Sequence, residues 1–377
     1  MRRRLAPAVA VLVIALAVAV AVVFWPASDV AEGSAGTAPG GSGGSDAERP
    51  SGRTPGTAAA AIDLDGGSPS GPRGPDVFAS FGWGSGDGQL GRNRPDEANP
   101  EAPMSLTIDP QGNVWILDQV NNRLVKLDKT GKVVASVPVP VQGAQDVAVA
   151  KDGTVMVLDR LLDESVALLG PDGKPLGELK LTGKNLEEGG SVTGLFSTDD
   201  GSVYVEREHG DLVRVGDTKG KADPEQEEVP GRLSRDGTTD LNAGITEPGT
   251  DRVYVNAIDR ATRAHRYTRE FRLGSEAVAL TLLDTDRSGI IYLGVLVEKG
   301  APPPPGADPE APNPNASYSM LITCLDPLDG HQLGRAEVEP NTSADETFRE
   351  LVVRDEGGVL YLFRTEQGAD VRVVNCR

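Results

Sequence analysis

The chain has 377 residues, a formal net charge of −19, 4% aromatic residues and two cysteines. A balance this acidic argues against nucleic acid or an anionic lipid surface as the partner of the folded part. Two cysteines exclude a disulfide-dense scaffold and leave room for one bridge.

Three regions follow in chain order. Residues 1–27 open with Met1-Arg2-Arg3-Arg4, and Leu5 through Trp25 carries no charge and is almost all Ala, Val, Leu and Ile. About 20 apolar residues cross a bilayer as a helix, and arginines on the leading side stay cytoplasmic. The expectation is a single-pass anchor in the cell membrane with everything after it on the extracytoplasmic side. The alternative is a cleaved signal peptide with Ala19-Val20-Ala21 as its cleavage site. Residues 28–75 are Gly, Ser, Ala, Pro and Asp with hardly a large apolar side chain, a composition that cannot offset its own ordering entropy and reads as a disordered linker.

The remaining 302 residues, 76–377, suffice for one large domain. They repeat. "MSLTIDPQGNVWILD" (104–118) is echoed by "DVAVAKDGTVMVLD", "VTGLFSTDDGSVYVE", "LNAGITEPGTDRVYVN", "VALTLLDTDRSGIIYLG" and "ELVVRDEGGVLYLF". Each copy is two strand-like runs around a polar turn. Gly112, Gly153, Gly201, Gly289 and Gly358 hold the turn in five, and "EPGTD" stands in the fourth. A large side chain recurs mid-strand: Trp115, Met156, Tyr204, Tyr254, Tyr292 and Tyr361. Third strands recur as well ("NRLVKLD", "SVALLG", "DLVRVG", "SMLITCLD", "VRVVN"), several ending in a Gly turn. A period of roughly 40–50 residues predicts an all-β, six-bladed β-propeller, in preference to an array of β-sandwiches. The sixth copy ends after its third strand, and residues 76–82 upstream form a strand without a blade. The N-terminal strand is therefore expected to complete the last blade and abolish an open edge. Residues 298–317, with four consecutive prolines, interrupt the fifth repeat as an extended surface loop.

"FGWGSGDGQLG", followed by "PMSLTIDPQGNVWILDQVNNRLVKLDKTGK", resembles the NHL repeat, with Asp118, Asn121, Asn122 and Arg123 matching its Asp and N-x-R positions. The match in motif covers about sixty residues; later blades keep only the rhythm, and TolB-like propellers are similar nearly as well. The resemblance implies a six-bladed ring. Turn chemistry accounts for the four residues without a ligand: a short carboxylate bonding nearby N–H groups, asparagines tolerating the left-handed conformation, and Arg123 pairing with a neighbouring turn.

Aligned on the mid-strand aromatics, the second strands end at Asp118, Asp159, Glu206 or Arg207, Asn256, Gly294 and Arg364. Asp118, Asp159, Glu206 and Asn256 are the candidate metal ligands. Carboxylates and an amide at a channel mouth suit a hard cation such as Ca²⁺, and sugar-lactonase-like propellers use such a set, although their motifs are not matched here. Solvated turn caps are the alternative. His209 and His265 are expected near second-to-third turns and His331 near a third-to-fourth turn, on opposite faces, which disfavours zinc. Cys324 and Cys376, on third strands of consecutive blades in an exported protein, are expected to staple the closing blade, with two buried thiols as the alternative.

No nucleophile elbow, Walker loop or CxxC stands in the chain. The expected function is a membrane-tethered binding module for a protein or ligand, without a cofactor. The alternative is a Ca²⁺-dependent, lactonase-like hydrolase or lyase on the same ring.

Overall fold

A computed structural model describes residues 62–63, 75–301, 304, 313 and 315–377. The expected anchor, nearly all of the linker and most of the proline-rich insertion lie outside these residues. No helix among the described residues is long and apolar enough to cross a membrane.

Six antiparallel sheets form the six blades, and in each the chain runs from the inner strand outward. Blade 1 is Ser105–Ile108, Val114–Asp118, Arg123–Leu127 and Val133–Pro138. Blade 2 is Asp146–Val149, Val155–Asp159, Ser165–Leu169 and Pro175–Lys180. Blade 3 is Val192–Ser197, Ser202–Arg207, Leu212–Asp217 and Glu228–Val229. Blade 4 is Arg232–Leu233, Thr239–Ile245, Arg252–Asp259 and His265–Arg272. Blade 5 is Glu276–Thr285, Ile291–Gly300, Ala316–Leu325 and Gln332–Val338. Blade 6 takes Leu351–Val353, Val359–Arg364 and Gly368–Val374 from the chain end, and its outer strand, Asp76–Trp83, from the other end, paired antiparallel from Asp76↔Val373 to Gly82↔Gly368. First-to-second and third-to-fourth turns share one face of the ring, and second-to-third turns share the other. The proline-rich insertion is the second-to-third connection of blade 5.

The core is cut into slices between neighbouring blades, because each sheet buries both faces. Trp115 and Leu117 pack against Val155 and Val157 between blades 1 and 2, Met156 and Leu158 against Val203 and Val205 between blades 2 and 3. Phe271 and Val255 meet Leu293 and Val295 between blades 4 and 5, and Tyr292 meets Tyr361 between blades 5 and 6. Between blades 3 and 4 the apolar slice shrinks to Tyr204, Leu212, Val229 and Leu233, with Phe196 against it.

The thin slice traces to one residue and corrects the expected frame of the fourth repeat. "LNAGITEPGTDRVYVN" is the second-to-third hairpin of blade 4, pairing Ile245 with Val253. The true first turn is Ser234 to Thr239, where Gly237 takes φ +71°. Two adjacent antiparallel strands look alike in a hydrophobic pattern, and here the aromatic that marks the second strand is missing: Asp240 occupies its slot. Tyr254 consequently lies on the third strand, half-buried, donating its hydroxyl to Asn242 Oδ1 at 2.9 Å. Asp240 is buried, pairs with Arg263, and leaves Oδ1 without a partner. Burial pushes its carboxyl up, with Arg263 and Arg260 pulling it back. Arg260 bridges to Tyr204 Oη and Glu227, so a polar seam replaces apolar packing at this junction.

The first turns carry the predicted chemistry. Gly112, Gly153, Gly201, Gly289 and Gly358 all have positive φ. In blades 1 to 5 a turn aspartate accepts backbone N–H groups: Asp109 from Gln111 and Asn113, Asp152 from Thr154, Asp200 from Ser202, Asp236 from Thr238, and Asp286 from Ser288 and Ile290. For Asp109, Asp152, Asp200 and Asp236, burial acts to raise the carboxyl, and the accepted hydrogen bonds outweigh it and hold each below the usual range. A depressed folded-state pKa means stability that is complete above the unfolded value of about 3.9 and is lost as pH falls through the lower folded values. Thermal melts are therefore expected to be unchanged by these groups from pH 7 to 5 and to move down steadily below pH 4. Asp109→Asn and Asp236→Asn are each expected to flatten that acid limb.

Candidate functional site at the channel mouth

The second-to-third turns surround one mouth of the central channel, and polar side chains from five blades, charged ones from four of them, converge inside it. Arg349 precedes the inner strand of blade 6, where its carbonyl accepts the Leu106 N–H at 3.2 Å. Its guanidinium reaches across the channel, with Nη2 at 2.5 Å from both Asp146 Oδ2 of blade 2 and the Leu195 carbonyl of blade 3. Asp146 is fully buried; Oδ1 accepts Ser105 Oγ of blade 1 at 2.5 Å and the Val147 N–H at 2.8 Å, and Oδ2 accepts the Leu195 N–H at 2.9 Å. Burial pushes this carboxyl up while Arg349, Ser105 and the two N–H groups favour its charge. Phe196 of blade 3 has the Arg349 guanidinium 4.7 Å and the Arg232 guanidinium 4.5 Å from its ring centroid. Arg232, from the inner strand of blade 4, pairs with Glu206 Oε1 at 2.5 Å, and Glu206 Oε2 accepts Thr193 Oγ1 at 3.0 Å. Beside this, Arg160 lies over Phe348 and donates to the Gly190 carbonyl at 2.6 Å. The mouth is thus crossed by a paired, stacked plug that ties five blades together. Cations over aromatic faces and desolvated charge pairs strengthen one another in such a low-dielectric setting.

The predicted ligand residues have separate jobs. Asp118 is buried and accepts the Gly91 N–H, Asn121 Nδ2 and Arg123 Nε, each at 2.8 Å. It was expected to cap its own turn; instead it holds the segment that leads from the closing strand into blade 1. Asn121 reaches the Gly84 carbonyl at 3.0 Å, and Arg123 reaches the carbonyls of Ser85, Gly86 and Gln89. Any Cβ at Gly91 would lie 2.6 Å from Val120 Cβ. Asn122 takes the left-handed conformation, φ 51°. Asp118, Asn121 and Arg123 latch the ring closure, with Asn122 shaping the turn that presents them, so one blade needs them and the other five do not. Asp159 does cap its turn, accepting Leu161, Leu162 and Gly143 N–H groups. Glu206 belongs to the plug. Asn256 is not at the mouth: with blade 4 reframed it sits on the third strand, opposite Asn242 and Thr268, and accepts Thr268 Oγ1 at 3.0 Å. Each of the three carboxylates is already occupied by protein donors.

His209 is in the second-to-third turn of blade 3, exposed, with Nδ1 3.9 Å from Glu206. His265, expected on that face, instead opens the fourth strand of blade 4, on the same face as His331. Among the described residues, one acid–histidine group has converging ligand atoms: Asp326, Asp329 and His331, in the third-to-fourth turn of blade 5. Its oxygens serve the turn, Asp326 accepting the Leu328 N–H and Asp329 the His331 N–H. Cys324 and Cys376 form a disulfide with Cα atoms 5.8 Å apart, joining blade 5 to the chain end beyond blade 6.

The opposite mouth is belted by ion pairs between first turns: Lys151–Asp199–Arg287–Asp355–Arg235. The sequence reading missed both ends of the channel. The available signal was a charged residue directly before an apolar inner strand, as in "QDVAV" and "FRELVV".

No protein-family model and no curated protein matches the chain. Among solved structures, hydrazine synthase of Kuenenia stuttgartiensis is similar at 16% identity and a TM-score of 0.44, over 75% of this chain and 90% of that one. Virginiamycin B lyase from Staphylococcus aureus is similar at 12% identity and a TM-score of 0.37, over 72% and 94%. BamB from Moraxella catarrhalis is similar at 14% identity and a TM-score of 0.35, over 72% and 86%. Likenesses this distant assign no activity, and the six-bladed ring stands on the sheets themselves.

Proposed function

We propose that the protein is a recognition module of NHL-like type, held to the membrane by its N-terminal segment with the ring on the extracytoplasmic side, and that the face of the second-to-third turns takes a protein partner. The observation that carries this reading is the apolar surface on that face. Leu161 and Leu162, adjacent in the blade 2 turn, are 56% and 65% exposed. Tyr318 and Val278, at the same end of blade 5, are also exposed. These side chains stand out on a turn whose backbone Asp159 already fixes, and exposed apolar patches mark docking surfaces. A rigid scaffold with its channel plugged leaves recognition to the rim.

The test is a photo-cross-linker at position 161 of the full chain in cells that express it natively, with and without Leu162→Glu. Capture of one discrete protein, reduced at least tenfold by the substitution at unchanged melting temperature, is the expected result. Undiminished capture would sink this face as the docking surface. A melting temperature raised by Ca²⁺, with the rise lost in Asp159→Ala, would instead favour a Ca²⁺-dependent hydrolase or lyase.

A further inference from the structure

In a chain of net charge −19, the segment from Arg260 to Arg272, "RATRAHRYTREFR", holds five arginines and one acid. It supplies the third-to-fourth turn and the outer strand of blade 4. Three of the arginines are committed within the ring: Arg260 to Glu227, Arg263 to Asp240 and Arg266 to Asp259. Arg269 donates to the Asp329 carbonyl of blade 5. Arg272 is exposed and makes no ion pair with another described residue. The outer strand, His265–Arg272, has eight residues, against two for the outer strand of blade 3. A long outer strand presents unpaired N–H and C=O groups, a template for another extended segment.

That edge carries a guest. Ile62–Asp63 lies parallel to it, with Ile62 level with Phe271 and Asp63 level with Arg272. The linker sequence here is Ile62-Asp63-Leu64-Asp65, a strict apolar–acidic alternation within residues 58–72, which are otherwise Gly, Ser, Ala and Pro. The edge alternates too: Tyr267 and Phe271 are buried, Arg272 exposed. In register, Ile62 is level with a buried position of the edge and Asp63 with an exposed arginine.

We propose that the outer edge of blade 4 is a strand-addition site for a short acidic–apolar segment, and that this chain's own linker, entering at Ile62–Asp63, is its occupant.

The test is a pair of cysteines in the full chain, Asp63→Cys with Arg272→Cys, under mild oxidation. Register partners fall within the Cα range a disulfide accepts, about 4.4–6.8 Å. The expected result is an intramolecular 63–272 bridge by peptide mapping, at least tenfold more abundant than the bridge in Asp63→Cys/Thr268→Cys, which is four residues out of register. An excess of free peptide carrying residues 58–69 is expected to lower the yield, and the same peptide with both aspartates changed to lysine is not. Equal yields in the two cysteine pairs would overturn the site. A bridge found only between two copies would overturn the occupant, giving the edge to a second molecule.

Discussion

Arg349→Met is expected to lower the stability of the ring by about 3–5 kcal/mol, the cost of removing one partner from a buried ion pair. In a domain of this size that corresponds to a drop in melting temperature of roughly 10 °C. The reason is local and severe. Asp146 is fully buried, and without Arg349 its carboxylate keeps Ser105 and two N–H groups but loses the cation paired with it. The Leu195 carbonyl and one side of the Phe196 ring lose their partner in the same step. The double variant Asp146→Asn/Arg349→Met is expected to regain part of the loss, because it removes the stranded charge; a double-mutant cycle measures how much. The pH dependence supplies a second check. Burial already pushes the Asp146 carboxyl up, and removing the cation pushes it further. A group whose folded pKa lies above its unfolded value gains stability as pH falls toward the unfolded value. The deficit of Arg349→Met relative to wild type is therefore expected to shrink between pH 7 and pH 4. A deficit below 1 kcal/mol at pH 7 would show that the plug fills space and carries no coupling between blades.

Loss of the disulfide is the other large effect. Cys324 and Cys376 are 52 residues apart, and the chain-entropy relation for a loop of that length gives about 4 kcal/mol. The bridge anchors the third strand of blade 6, against which the N-terminal strand Asp76–Trp83 pairs. Cys324→Ser/Cys376→Ser is expected to lower the urea midpoint in proportion and to raise the denaturant slope, since the unfolded chain is released from its cross-link. Reducing agent on the wild type should reproduce the same midpoint. The two cysteines are almost completely buried, so reduction of the native protein is expected to be slow and to quicken with mild denaturant. A midpoint unmoved by both treatments would mean that the latch at Asp118 and Arg123 closes the ring unaided.

Much of this ring was legible as a pattern. Turn glycines at positive φ, aspartates two residues ahead of accepted N–H groups, and large side chains at one depth of the second strand are short-range requirements, met within a dozen residues. They repeat because the blade repeats. Where one of them lapsed, the reading lapsed with it: Asp240 in the aromatic slot moved the apparent frame of blade 4 by one strand and carried Asn256 and His265 to the wrong ends. The carboxylates at second-strand ends were visible as a set, but their partners were not. Asp118 faces Gly91 and Glu206 faces Arg232, pairs separated by 27 and 26 residues, while Asp146, at the start of an inner strand and not in that set, faces Arg349 at a separation of 203; only tertiary packing joins them.

The amino-acid sequence by itself determined the blade, the number of blades and the way the ends meet, because hairpins, periodicity and an unfinished last repeat are properties of neighbouring residues. Tertiary structure alone decided the use of each charge. A carboxylate at the end of a strand is chemically the same whether it binds a cation, caps a turn or anchors an arginine from across the channel. What distinguishes these fates is which donor the closed ring brings within 3 Å, and that depends on all six blades at once.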